Sequence, residues 1–338
     1  MSRFLALLAL AVSLPALAQS PGSPKPLKLV MPQGSGAIIF QITGDWRPER
    51  IDLLDDGTRP TMQLTNEKSK LDLSYILFPN PTQNPTAEGC RNAVLNSIAD
   101  NLNHDIKIQN KQQTTRKLKD GHSLAVASYL LASAGSIPLE QQNVFGFVGN
   151  AKTCAEIHLS IVKYTAAKQP LIDEALDAFT YDPGYAPTSL DYAALGAIFY
   201  SAAQNYTASA VYYQRALDTA SVLANNPTGD DPVAYSRYLT DQLSMSYGMS
   251  GDLKHSRAVN EAAIARDPLY PLYYYNLACA DAEEGHAAAA RTHLEQAFAR
   301  RANTLKGETL PDPTKDDSIL KLKNDTDFWA FVESLPKN

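Results

Sequence analysis

The chain is short of the residue clusters on which most metal and nucleotide chemistry depends. Its 338 residues contain no His-Glu-x-x-His stretch, no paired Cys-x-x-Cys and no calcium-loop pattern. Gly34-Ser35-Gly36 is not followed by a helical pattern, which excludes a dinucleotide or phosphate loop. Gly248-Met249-Ser250-Gly251 has the wrong spacing for a nucleophile elbow and falls between two predicted helices, not after a strand. The six histidines are scattered, and His286 and His293 are spaced as solvated helix residues rather than as a metal pair. A dominant charge is also lacking. Thirty basic residues stand against 36 acidic ones, and the net charge of −6 offers no attraction to nucleic acid or to an anionic membrane. Carboxylates are spread along polar faces without a paired arrangement. These absences predict no cofactor, no metal site and no catalytic activity.

Long apolar runs are confined to the N-terminus. Arg3 supplies a positive start, Phe4 to Leu14 an apolar run, and Ala16-Leu17-Ala18 a small-x-small cleavage site. The run is too short for a stable bilayer anchor. Residues 1–18 therefore read as a signal peptide cleaved after Ala18, and no Cys follows to mark a lipoprotein. The mature chain is expected to be extracytoplasmic, periplasmic or secreted, with no membrane span. Cysteine is scarce, with three in the chain. In an oxidising compartment Cys90 and Cys154 are a candidate disulfide, the alternative being two buried thiols. Cys279 reads as a small buried hydrophobe. Two Asn-x-Thr sequons, at Asn205 and Asn324, matter only where the source glycosylates.

After a loose leader at 19–26, residues 27–182 read as one α+β domain. Strands are predicted at Ala37–Thr43, Ile51–Leu54 and Thr61–Thr65, with Asp56-Gly57 as a hairpin signal. Another runs over Leu71–Phe78. Cys90, Val94, Ile98 and Leu102 then recur at four-residue steps and predict a helix over 86–103 with Cys90 facing the core. Strands follow near 106–108, 122–131, 143–148 and 154–162, and a helix over 169–179. Strands in runs, with one helix inside and one at the end, favour an antiparallel sheet over alternating βα units. This order resembles the PsbP-like fold, an α/β/α sandwich, over residues 35–180. The resemblance implies a binding or assembly role rather than a reaction.

Asp182-Pro183-Gly184-Tyr185-Ala186-Pro187 punctuates the chain, and 183–188 reads as a linker. Beyond it, the stretch Thr240–Ala297 overlies itself at an offset of 34 residues: Leu243 on Leu277, Gly251 on Gly285, Arg257 on Arg291, Glu261 on Glu295, Ala263 on Ala297. That offset marks paired-helix solenoids. Leu243-Ser244-x2-Tyr247 with Gly251, Ser256, Ala263 and Pro268, then Tyr274-x2-Leu277-Ala278 with Gly285, Ala290 and Ala297, resemble the tetratricopeptide repeat (TPR) family. Asn260 stands where that pattern has Phe, and Asp281 where it has Tyr. A longer upstream copy carries Tyr192, Leu195, Gly196, Tyr206, Tyr213 and Ala216. Three TPR-like repeats are thus expected over 189–303, forming an all-α helical solenoid. Residues 304–338, with Ile319, Leu322, Phe328, Trp329 and Val332, are expected to cap it.

The resemblance implies a concave groove, lined by the first helices of the repeats, that holds a protein or extended peptide partner. The positions that carry over are Asp191 and Ile198, then Tyr238, Asp241, Gln242 and Met245, then Tyr275, Asn276 and Cys279. Ala194 and Ile198 stand where a carboxylate clamp has Lys and Asn, so that clamp is not expected. Gln242 and Asn276 each donate and accept, as a peptide backbone requires. The same tyrosines read equally well as packing between repeats. The leading expectation is an adaptor or assembly factor. The alternatives are a small-ligand or lipid binder using the first domain, and an unrecognised hydrolase.

Overall fold

The computed structural model describes residues 25–31, 36–42, 46–54, 59–82, 84–99, 106–222 and 231–336. The predicted signal at 1–18, the Asp56-Gly57 turn, the end of the first predicted helix beyond Ala99 and the loop at 225–230 lie outside them. Two compact units divide the chain at Asp231: one spans Pro24–Asp230, the other holds the helices that follow. An antiparallel sheet region precedes an all-helical one, the α+β-then-helical order expected.

In the first unit, strands β1 (Lys25–Val30) and β2 (Ala37–Ile42) pair with a late strand, β10 (Phe179–Asp182), in a three-stranded sheet ordered β1-β2-β10. Strands β3 (Trp46–Leu54), β4 (Arg59–Asn66), β5 (Leu71–Pro79), β6 (Ile106–Lys117), β7 (Ser123–Ala134), β8 (Ile137–Gly149) and β9 (Thr153–Ile161) form a second sheet, ordered β3-β4-β5-β9-β8-β7-β6. Every pairing is antiparallel. The period-two pleat is plain in β5, where Leu71, Leu73, Tyr75 and Leu77 are buried on one face. In β8 the six residues from Asn143 to Val148 are all buried, as a strand covered on both faces requires.

Helix α1 (Ala87–Ala99) packs across β7, β8 and β9. Thr86 Oγ1 accepts from Gly89 N at 3.0 Å and starts it. Cys90 faces the sheet, as its spacing predicts, and is bonded to Cys154 with their Cα atoms 5.7 Å apart. Ala87, Phe78, Ala125, Phe145 and Phe147 enclose the bridge. A short helix, α2 (Gln169–Asp177), leads into β10.

The segment 183–188 joins two parts of one compact unit. Beyond it, α3 (Ser189–Ser201) and α4 (Tyr206–Val222) belong with the strands. Thr188 and Asp191 make a reciprocal capping box at the start of α3. Among the described residues, hydrogen bonds fasten this hairpin to the sheets from Lys28 Nζ to Asp191 Oδ1 at 2.8 Å, from Tyr212 OH to the Val30 carbonyl at 2.9 Å, and from Asn205 Nδ2 to Asp52 Oδ1 at 3.1 Å. Tyr212 is fully buried, so its hydroxyl must find a partner, and the β1 backbone supplies one.

The second unit holds α5 (Pro232–Ser250), α6 (Leu253–Arg266), α7 (Pro271–Glu283), α8 (Ala287–Ala299) and α9 (Thr326–Ser334). Gly251 and Gly285 sit at φ 84° and 79°, ending α5 and following α7 in the left-handed conformation that lacks a Cβ penalty. Asp252 caps α6 by accepting from His255 N at 3.1 Å. The helices pack as consecutive hairpins, α5 on α6 and α7, α7 on α8. The two departures from the repeat pattern are both buried polar networks. Asn260 Nδ2 donates to Ser244 Oγ at 2.5 Å and to the Ser256 carbonyl at 3.0 Å, closing the α5–α6 contact with hydrogen bonds instead of a ring. Asp281 receives Arg257 at 2.8 Å and His293 at 2.6 Å.

Candidate functional site

Of the nine expected groove residues, Tyr238, Asp241, Gln242 and Met245 lie on α5 and Tyr275, Asn276 and Cys279 on α7. Pro271 fills the first helical position of α7 and Gly285 follows its last turn, so the register of α7 is set at both ends. Asn276 Nδ2 donates to Asp241 Oδ1 at 2.8 Å and joins the two helices. Asp241 and Tyr275 are buried, at 5% and 2% exposure. Tyr238, Gln242, Met245 and Asn276 are half-buried. Gln242 Nε2 lies 3.4 Å from Asp241 Oδ2 and 3.9 Å from Met245 Sδ. Asp191 and Ile198 are in the other unit, where Asp191 serves the capping box and the Lys28 ion pair.

Tyr275, Cys279 and Glu283 recur every four residues and form one stripe of α7. The chain's own residues 304–322 meet this stripe. Tyr275 OH donates to Asp316 Oδ2 at 3.3 Å, and Cys279 Sγ lies 3.7 Å from Asp316 Oδ1. Glu283 accepts from Ser318 Oγ at 2.8 Å and from Lys321. At the start of α7, Tyr270 OH lies 2.8 and 3.0 Å from the two carboxylate oxygens of Glu308. Leu310, Ile319 and Leu322 sit in one apolar cluster with Tyr270, Tyr275 and Ala278, and Phe328 and Val332 of α9 complete it. The expected cap thus also runs over the expected groove face.

Burial sets the ionisation here. It pushes the Asp241 carboxyl up to about 7, against the pull of the Asn276 hydrogen bond and with a further push from Glu308. It raises Asp316 against the backbone donors Ile319 and Ser318. The Cys279 thiol is driven well up by burial and then by Asp316, so it is a protonated donor and not a nucleophile. Tyr270 and Tyr275 are raised by burial as well and remain hydroxyl donors.

Two further groups went unnoticed in the sequence. Glu156 and His158 lie on the Cys154 side of β9, a placement readable from the Cys154-x-Glu156-x-His158 alternation once Cys154 is set in the core. Burial raises Glu156 to about 7 and lowers His158 to about 4. His158 stacks on Phe145 at 4.1 Å, and its Nε2 lies 3.0 Å from Asn143 Oδ1. Asp281, Glu284 and His286 bring three potential ligand atoms within 4.8 Å of one another. Arg257 already donates to both carboxylates of that group, at 2.8 and 2.6 Å, and its guanidinium supplies the positive charge. Asn205, the first sequon residue, is engaged twice: it accepts from Ala208 N at 3.0 Å and donates to Asp52. Among the described residues, no helix is long and apolar enough to cross a membrane.

No protein-family model and no curated protein matches the chain. Among solved structures it is similar to the solution structure of cyanobacterial PsbP (CyanoP) from Synechocystis sp. PCC 6803, with a TM-score of 0.35 and 13% identity over 49% of this chain and 96% of that one. It is also similar to a crystal structure from Bacteroides thetaiotaomicron VPI-5482, with a TM-score of 0.24 and 10% identity over 63% of this chain and 78% of that one.

Proposed function

We propose that this is an extracytoplasmic, non-catalytic interaction protein, an adaptor or assembly factor whose α5–α8 hairpins are tetratricopeptide-like and whose α5 and α7 receive a partner's polypeptide segment. The observation that carries this reading is the course of residues 304–318. They form no helix or strand, yet they lie against α7 through side-chain hydrogen bonds from Tyr270 and Tyr275. A surface that orders one irregular segment by side-chain donors has the chemistry to order another. Gln242 and Met245, half-buried beside Asp241, extend that surface onto α5. The Cys90–Cys154 bridge supports an oxidising compartment, in agreement with the signal-like first 18 residues.

The test is selection of peptides from a random displayed library against the full-length protein. Peptides that bind are expected to lose about tenfold in affinity, or about 1.4 kcal/mol, on the double change Gln242→Ala and Met245→Ala. Selected peptides indifferent to that change, or no selectable peptide at all, count against the reading.

A further inference from the structure

We propose that residues 304–322 are the resident occupant of the α7 face, and that this face selects an irregular acidic segment with two carboxylates eight residues apart. This rests on the interaction reading above and names the chemistry of its partner, which must compete with the chain's own segment.

The argument begins with how the two carboxylates are held. Glu308 takes both its contacts with α7 from one hydroxyl, that of Tyr270, while its Oε2 also accepts from Leu305 N at 2.9 Å. Asp316 takes the Tyr275 hydroxyl on Oδ2, the Cys279 thiol lies against both of its oxygens, and Oδ1 also accepts from Ser318 N at 3.0 Å and Ile319 N at 3.1 Å. Among the described residues neither carboxylate has an ion pair. They are read by neutral donors at fixed positions, so recognition depends on spacing and not on bulk charge.

Between them, Pro311 and Pro313 flank Asp312 and exclude a helix, because each removes an amide donor and restricts the residue before it. Leu310 is buried in the apolar cluster, at 2% exposure, and supplies the contact area that hydrogen bonds alone lack. The recognised pattern is therefore an acid, an apolar residue two positions on, a proline-kinked stretch, and a second acid.

The same geometry makes the contact replaceable. Asp241, buried and hydrogen-bonded to Asn276, lies near enough to Glu308 for the Glu308 charge to add to the rise that burial imposes on the Asp241 carboxyl. The segment is tethered at both ends, by α8 before it and by α9 after it. A tethered segment acts at an effective concentration in the millimolar range, so a free peptide of equal intrinsic affinity is held off until the tethered copy is weakened.

The experiment uses a labelled synthetic peptide of residues 304–322 and the full-length protein, by fluorescence anisotropy. In the full-length variant Glu308→Ala with Asp316→Asn, the peptide is expected to bind at least about tenfold more tightly than to the parent protein. It is expected to lose that gain when the peptide carries the same two changes. A folded variant that binds the peptide no better, or binds the altered peptide equally, overturns the proposal. Should the variant not fold, hydrogen exchange in the parent protein decides. Amides of 304–318 exchanging at least about tenfold faster than those of α7 and α8 support a detachable occupant, and equal protection refutes it. Library peptides that bind through Gln242 and Met245 while the 304–322 peptide does not would leave the interaction reading standing and remove this one.

Discussion

Asp241 shows at the scale of one residue how burial sets ionisation. Its folded carboxyl sits near 7, against an ordinary value of about 3.9 in the unfolded chain. Between those values the folded state holds a proton that the unfolded state has lost, so the stability it contributes is full below about pH 4 and disappears as pH rises through about 7. Asp316, raised in the same direction, adds to the slope. Local stability of the second unit, followed by hydrogen exchange in α5 and α7, is expected to fall from pH 4 to pH 7. Asp241→Asn, which keeps an oxygen for Asn276, is expected to flatten that fall. An unchanged slope in the variant would assign the titration elsewhere. In the other unit Gly149 is the residue on which the disulfide depends. A Cβ there would collide with Cys90 Sγ and approach the Thr153 carbonyl to 3.2 Å. Gly149→Ala is expected to cost about 1–3 kcal/mol in denaturant unfolding. A neutral result would mean that β8 yields at its end.

Elements differ in how far the sequence announces them. The α5–α8 hairpins were legible because each turn needs a left-handed glycine and each close contact a small residue, and both recur at one offset. Ala278 is fully buried between helices in the apolar cluster, so Ala278→Leu is expected to overpack it and to cost about 1–3 kcal/mol in thermal or denaturant unfolding. Retention of parent stability would show slack in that contact. The inward face of α1 is legible from four-residue spacing, whereas the disulfide follows from the scarcity of cysteine and an oxidising compartment, with two buried thiols as the alternative reading. Other elements were not. β1 begins inside the stretch read as a loose leader, because Lys25-Pro26-Leu27-Lys28 lacks a strand's alternation and an edge position tolerates Pro. β6 was foreseen over three residues and runs to Lys117. It is an exposed polar edge, and its Gln, Thr and Lys residues carry no buried period to read. β10 is four residues long, and only its first residue, Phe179, falls in the helix predicted over 169–179; the other three carry no pattern of their own. The helix α7 could be anticipated from the 34-residue offset. The segment that lies against it could not, since 304–318 has no periodicity and its hydrogen bonds to this helix join residues about 35 to 41 positions apart in sequence.

For the whole molecule, the division at Asp231 groups the first helical hairpin with the sheets and leaves the α5–α9 unit as the site of the proposed interaction. An exported protein with one bridge is the expected mature form. Intact-mass measurement without reductant is expected to give a chain starting at Gln19 with Cys90 and Cys154 joined and Cys279 free. A mature form retaining Met1 would contradict export by cleavage. The bridge spans a sequence separation of 64 and is worth about 4 kcal/mol on the chain-entropy account. The most direct measurement of the central claim is hydrogen exchange of the full-length protein with and without a saturating library-selected peptide. The account predicts added protection on α5 and α7 around Gln242 and Asn276 together with lost protection over 304–318. Protection gained only on the strands of the first unit, with α5, α7 and 304–318 unchanged, would contradict it.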